Sequence, residues 1–201
     1  MTPTPLTRQS GHAEVLLAYL ERLHEAVLWK LEGLSEREQR MPMTATGTNL
    51  LGVVKHLAAV EAEYLGLCVG RPFPEPIPWT GEDLEDNADM WATEDEPAQM
   101  IVDLYRRVAA HSAQTVAELP LDAPGRVPWW DPQETTLQRL LVHMLAELAR
   151  HAGQMDVVRE SVDGARGMLP QAPNLPGGDE AWWAAYVTRL REVAERFPGR
   201  P

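Results

Sequence analysis

Three polar side chains recur once per helical turn within a long stretch of helix-like apolar periodicity, residues 134–160. They are His143, Glu147 and His151, each four residues from the next. Residues at i and i+4 lie one above the other on a helix, so the spacing predicts a polar row on one face, made of side chains that can bind metal ions. His143 and His151 would lie roughly 12 Å apart along the axis, whereas each ligand of one ion must come within about 2 Å of it. One adjacent pair can therefore share an ion, and the spacing leaves open which pair it is.

A third ligand would have to come from another helix, and His56 is the best candidate. It lies in the apolar run Asn49-Leu-Leu-Gly-Val-Val-Lys-His-Leu-Ala-Ala-Val-Glu. Helical bundles build interior metal sites from side chains on facing helices. The competing interpretation is structural: a single core-facing histidine is more often a hydrogen-bonded packing residue, and Glu147 could simply pair with Arg150 or His151.

Helical periodicity predicts the elements that must position these side chains. A capping box at Ser35 and Glu38 predicts a further short helix, and Thr135 or Thr136 and Gly164 predict the two ends of the helix that carries the polar row. No run alternates with period 2. The sequence therefore predicts an all-α protein, an up-down-up-down four-helix bundle with an extra C-terminal helix, the helices covering about 11–33, 50–70, 96–119, 134–160 and 179–196.

Two long connections join the predicted helices. Residues 71–96 are rich in proline and are expected to cross one end of the bundle, with Trp79 and Trp91 capping a pocket there. Residues 120–132 form the second connection. We expect one bundle domain at 10–164 and a C-terminal extension at 165–201, whose short helix packs on the same domain.

Composition restricts the class of partner. The formal net charge of −12 argues against nucleic acid and anionic membranes, which attract basic surfaces. The single cysteine, Cys68, allows no internal disulfide and no cysteine-based zinc motif, which suits a reducing compartment. The sequence shows no signal peptide and no apolar run of about 20 residues, so we expect a cytoplasmic protein. Cys68 lies about 120° around the helix from His56, so it is not expected to act as a nucleophile at that site.

Two segments together resemble a known family. The run from Asn49 to His56, with the later run Leu-Val-His-Met-Leu-Ala-Glu-Leu-Ala-Arg-His-Ala-Gly-Gln that ends at Gln154, resembles the DinB-like superfamily. More narrowly, it is similar to the actinobacterial branch related to mycothiol-dependent maleylpyruvate isomerases and mycothiol S-transferases, over residues 10–164. Many members hold a divalent metal. The resemblance implies that His56, Glu147 and His151 are the ligands, with zinc expected and nickel as the alternative.

The resemblance also implies a reaction. Three protein ligands leave a coordination position open, where a mycothiol-like thiol could be deprotonated and could then attack an electrophilic substrate. Such a protein would be a metal-dependent transferase or isomerase. His143, Gln154 and Glu63 are expected to contact the ligands or the substrate without binding the metal.

Two other functions remain open at the level of sequence. One is a non-catalytic metal- or ligand-binding bundle of the stress-response kind, and the other is a metal-free interaction or ligand-storage bundle. A homodimer is a further expectation, since the C-terminal helix carries three aromatic residues, Trp182, Trp183 and Tyr186, that could form its interface.

Overall fold

The computed structural model describes residues 11–81 and 84–199 of the chain. Four long helices form a bundle, and the predicted all-α class with an extra C-terminal helix is confirmed. Short elements lie between and after the long helices. In chain order the helices and strands are α1 (His12–Trp29), α2 (Glu36–Arg40), α3 (Leu50–Tyr64), α4 (Ala98–Glu118), β1 (Pro124–Arg126), β2 (Glu134–Thr136), α5 (Leu137–Asp163) and α6 (Glu180–Ala194), with 3-10 turns at Leu67–Val69 and Ala88–Met90.

The core consists of the apolar faces that the four long helices turn toward one another. Most of its members are fully buried leucine, valine, isoleucine and methionine side chains, which gain the most from leaving water. Representative members, fully shielded from solvent, are Leu57 of α3, Ile101 of α4, and Leu141 and Leu148 of α5. This packed interior fixes the helix positions from which the polar residues project.

The predicted helix ends are largely confirmed. The Ser35 hydroxyl accepts a hydrogen bond from the Glu38 amide while the Glu38 carboxylate accepts one from the Ser35 amide, which is a capping box. Of the two candidate threonines, Thr136 caps α5, and Gly164 ends it with a φ of 79°, a left-handed conformation that glycine adopts without strain. Both α1 and α3 end several residues before the predicted positions, and α3 is followed by a 3-10 turn.

The helix directions differ from the predicted up-down-up-down order. Helix α4 runs parallel to α3, because Lys55 near the start of α3 pairs with Glu96 just before α4, while Arg71 beyond the end of α3 pairs with Glu118 at the end of α4. Helix α5 runs parallel to α1, since Lys30 at the end of α1 pairs with Asp156 in the last part of α5. The order is therefore up-down-down-up.

The connection between α3 and α4 explains this difference. It was expected to cross one end of the bundle, but it runs back along the bundle. It begins beside the far end of α4, where Phe73 packs on His111 at 5.6 Å between ring centroids. By Trp79 it has returned to the first half of α3, where the indole Nε1 donates a 3.0 Å hydrogen bond to the Lys55 carbonyl. A connection this long lets α4 start at the same end of the bundle as α3.

A small hairpin precedes α5 and was not predicted. Strands β1 and β2 pair antiparallel, with Pro124 opposite Thr136 and Arg126 opposite Glu134. Three-residue strands are too short to show the alternation by which strands are recognised in a sequence. The Leu137 amide donates to the Ala123 carbonyl at 3.0 Å, so the hairpin sets where α5 begins.

The C-terminal extension has two parts. Residues 165–178 contact the bundle: Leu169 is buried, and the Lys30 ammonium donates to the Gly167 carbonyl. Helix α6 has no buried residue, and Trp182 stacks on Tyr186 of the same helix at 5.3 Å. Within the described part of the chain, no helix is long and apolar enough to cross a bilayer.

Candidate metal centre

Helices α3 and α5 bring His56, Glu147 and His151 together. One ligand atom from each side chain lies within 4.8 Å of the other two. The His151 Nε2 is 3.6 Å from the Glu147 Oε2, close to the roughly 3.4 Å expected between two ligand atoms around tetrahedral zinc. Small side-chain rotations would bring all three atoms to bonding distance of one ion.

The antiparallel register of α3 and α5 separates His143 from this group. The rings of His56 and His151 lie 5.0 Å apart, and those of Tyr64 and His143, two turns along both helices, lie 4.6 Å apart. His143 also packs against Trp130 at 4.9 Å. The indole of Trp129 donates to the Tyr64 hydroxyl at 3.2 Å. We call Tyr64, Trp129, Trp130 and His143 the aromatic cluster. It lies roughly 12 Å along the helices from His56 and His151, and roughly 6 Å from Glu147.

The orientation of His56 is set by a residue that the sequence analysis missed. The His56 Nδ1 lies 2.6 Å from the Asp89 Oδ2. An ionised carboxylate only accepts hydrogen bonds, so Nδ1 carries the proton and donates. The Nε2 of His56 is then the nitrogen with a free lone pair, which is the arrangement common in metal-binding histidines.

His151 is held in a comparable way by its own helix. Its Nδ1 lies 2.9 Å from the Gln154 Oε1, which accepts the ring proton and leaves Nε2 on the side of Glu147. Burial, together with the neighbouring His56, lowers the pKa of His151. The neutral imidazole is therefore favoured at pH 7, and that is the form that binds metal ions.

The group lies at the surface of the bundle, where a small molecule can reach it. The side chains of His56, Glu147 and His151 are 21%, 31% and 11% exposed. Two imidazole nitrogens and one carboxylate oxygen form a donor set that zinc and nickel both accept. A divalent ion there would retain a net positive charge, because only one ligand is anionic.

Glu63 lies on the same face of α3 but is not the partner of His56. It lines a cleft of about 380 Å³ beside the long connection, together with Trp79, Thr80 and Asp89. Burial raises the pKa of Glu63. Glu63 is therefore placed to contact a ligand in the cleft rather than the candidate metal ligands.

Cys68 is not part of the group. It is buried in the 3-10 turn after α3. Burial, with the charge of Glu63, raises the pKa of its thiol to about 11. This agrees with the expectation that the cysteine is not a nucleophile.

Comparison with known proteins identifies relatives of the chain. A model of the mycothiol S-transferase family matches residues 15–164. Among solved structures, a conserved protein from Enterococcus faecalis is 18% identical, with a TM-score of 0.60, over 78% of this chain and 99% of that chain. At that identity the similarity shows the shared fold alone. No curated protein sequence matches the chain.

Proposed function

Because the chain belongs to the mycothiol S-transferase family, we propose that it is a metal-dependent enzyme that joins a mycothiol-like thiol to an electrophilic small molecule. Transfer is the proposed reaction, and an isomerisation that uses the same thiol is the related alternative. The proposed ligands are His56, Glu147 and His151.

The observation that carries this proposal is the meeting of three donor groups from two helices. Their ligand atoms lie within 4.8 Å of one another although His56 is far from Glu147 in the sequence. Both histidines have their second ring nitrogen bonded to an acceptor, Asp89 for one and Gln154 for the other. Packing alone does not require two imidazoles to present free lone pairs to one carboxylate.

The chemistry follows from the donor set. A divalent ion held by two neutral imidazoles and one carboxylate would favour the thiolate form of a thiol at neutral pH. In the proposed transfer, the thiol loses its proton to solvent, a sulfur–carbon bond forms, and the leaving group departs with its electron pair. Asp89 and Gln154 keep the two histidines in the tautomer that leaves Nε2 free.

The proposed site for the electrophile is the face of α3 that runs from His56 to the aromatic cluster. The half-buried Val60 lies on the face of α3 between His56 and Tyr64, and the aromatic cluster stands beyond it. An apolar electrophile packed against these side chains would leave its reactive carbon facing the three ligand candidates. Apolar walls would also keep water from competing with the thiol.

The test combines metal content with turnover. We expect the untagged protein to contain one transition-metal ion per chain by elemental analysis, and the His56→Gln variant to lose it. With mycothiol and an activated aryl halide, the wild type should form the thioether, while His56→Gln should lose at least about 100-fold in rate, as expected when a metal site is broken.

Two results would contradict the proposal. One is a protein free of transition metal that still melts at the same temperature with and without chelator. The other is a metal-loaded protein that conjugates no thiol, which would leave a non-catalytic metal-binding bundle. The proposed compartment is the cytoplasm, because a thiol cosubstrate and a single cysteine both suit a reducing environment.

A further inference from the structure

The residues that follow Asp89 in the long connection form hydrogen bonds with the first half of α3. The residues at the start of α3 that contact the connection are Asn49, Gly52 and Lys55, which we call the anchor set. They are the non-apolar residues of the segment Asn49–Lys55, and each contacts the connection between Met90 and Glu96. The same segment leads directly into His56.

Asn49 and Gly52 both contact the carbonyl of Met90, the residue after Asp89. The Asn49 Oδ1 accepts a 2.7 Å hydrogen bond from the Gly52 amide, and its Nδ2 donates to the Met90 carbonyl at 3.1 Å. A Cβ on Gly52 would lie 1.8 Å from the same Met90 oxygen. The connection can reach this position only because residue 52 has no side chain.

Lys55 binds Trp91 and Glu96, the latter at the end of the connection. Its side chain is 2% exposed, and its ammonium donates to the Trp91 carbonyl and to the Glu96 Oε2, each at 2.7 Å. The Glu96 Oε2 also accepts the Thr93 amide at 2.8 Å. Burial of an ammonium raises the free energy of the fold unless the group is paired and hydrogen-bonded. The Lys55–Glu96 pair therefore favours a single position of the connection.

These contacts leave Asp89 little freedom. Asn87, in the left-handed conformation with a φ of 63°, opens the 3-10 turn that carries Asp89, and Met90 and Trp91 are both held by the anchor set. The Asp89 Oδ2 then lies 2.6 Å from the His56 Nδ1. Helix α3 therefore supplies both the histidine and the fastening of the carboxylate that orients it.

We propose that Asp89 is a positioning residue that sets the metal affinity of His56, and that the anchor set maintains it there. This inference rests on the proposed metal site. A carboxylate on Nδ1 fixes the tautomer and the ring plane and makes Nε2 a stronger donor. Loss of such a partner typically weakens metal binding by about 10- to 100-fold.

The experiment compares Asp89→Asn with Asp86→Asn. Both substitutions remove one carboxylate from the same connection, but Asp86 is exposed and has no contact with His56 in the structure. Zinc dissociation constants would be measured at one pH by competition with a chromophoric chelator. We expect Asp89→Asn to weaken binding by about 10- to 100-fold and Asp86→Asn to leave it within about twofold. The visible spectrum of the Co²⁺-loaded Asp89→Asn protein should also change, which a loss of stability alone would not produce.

A second pair of variants tests the anchor set. Gly52→Ala should push the Met90 carbonyl away and weaken binding in the same direction as Asp89→Asn, with the same change in the Co²⁺ spectrum. Gly153→Ala is the matched control, because Gly153 lies on α5 and a Cβ there meets no atom within 4 Å. Gly153→Ala should bind zinc as the wild type does.

The outcomes separate this inference from the proposed function. A wild type that binds zinc, with an Asp89→Asn variant that binds it equally well, would overturn the role of Asp89 and leave the metal site intact. A wild type that binds no divalent ion would overturn both. If Asp89→Asn weakens binding but Gly52→Ala, correctly folded, does not, the anchor set is not what holds Asp89.

Discussion

The proposed metal site makes opposite predictions for the two histidines of the polar row on α5. Replacement of His143 by Gln should leave the metal content at one ion per chain, because His143 packs in the aromatic cluster, 4.6 Å from the Tyr64 ring. Replacement of His151 by Gln should remove the ion. The measurement is the metal content of the His143→Gln and His151→Gln variants, determined by elemental analysis after dialysis. Each variant is the control for the other, because both carry the same substitution on the same helix. Loss of metal in His143→Gln and retention in His151→Gln would move the site to the other pair.

Cys68 offers a prediction about reactivity. Burial and the Glu63 charge raise the pKa of its thiol to about 11, so the thiolate that reacts with alkylating agents is scarce at neutral pH. At pH 8 we expect iodoacetamide to modify Cys68 about 100-fold more slowly than free cysteine, with the rate rising as the pH approaches 11. Mass spectrometry of the native protein over time measures this. Rapid modification at pH 8 would show an accessible, activated thiol.

The sequence predicted residues that share a helix better than residues that meet through a loop. Glu147 and His151 adjoin because four residues make nearly one helical turn. His56 could be matched to them because it lies in an apolar run, as expected for a histidine that meets another helix, and because the two segments together resemble a known family. Asp89 carries no comparable signal: it follows the acidic residues Glu85 and Asp86 along a connection whose path depends on tertiary contacts.

Among the elements, α1 and α5 are joined by one buried arginine. The Arg159 guanidinium donates to the Trp29 carbonyl at 3.2 Å and to the Lys30 carbonyl at 3.0 Å, both at the end of α1. The Trp29 carbonyl also accepts the Glu32 amide, so the Lys30 carbonyl is the acceptor that depends on Arg159. It also donates two hydrogen bonds to the Asp163 carboxylate, and these bonds are the main reason that the pKa of Asp163 is lowered. Arg159 therefore acts as a C-terminal cap supplied by another helix.

Removal of this cap should destabilise the bundle. We expect Arg159→Ala to lower the free energy of unfolding by about 2–4 kcal/mol, because the buried Lys30 carbonyl loses its donor and Asp163 loses its partner. Arg150→Ala, on the exposed face of the same helix, should change it by less than about 0.5 kcal/mol. Urea unfolding followed by circular dichroism gives both values. Equal effects of the two substitutions would mean that the cap contributes no net stability.

Helix direction is the property of the elements that the sequence did not predict. Periodicity identifies helices and their inward faces, and caps such as Thr136 and Gly164 identify their ends. Direction depends on where each connection leads. A long proline-rich segment is compatible with crossing one end or with returning along the bundle, and contacts such as that of Trp79 with Lys55 decide between them.

Across the whole molecule, the return of this connection is what completes the candidate site. If the connection crossed one end and α4 ran the other way, the carboxylate of Asp89 would lie far from His56. The up-down-down-up order thus places a loop residue beside the helix that carries His56. A metal ion bound by α3 and α5 would add its binding free energy to the stability of the fold, by about 2.7 kcal/mol when the free ion exceeds the dissociation constant 100-fold.

The bundle and its site should not depend on α6. Residues 165–178 contact the bundle through Leu169 and Gly167, but none of the described residues of α6 is buried. A chain that ends at Gly178 should therefore bind the same amount of metal and melt within about 2 °C of the full-length protein, with the same decrease on addition of chelator, because surface regions contribute little to stability. Differential scanning calorimetry of the two chains, with and without EDTA, measures this. A marked decrease for the shorter chain would show that α6 packs on the bundle and belongs to the same cooperative unit.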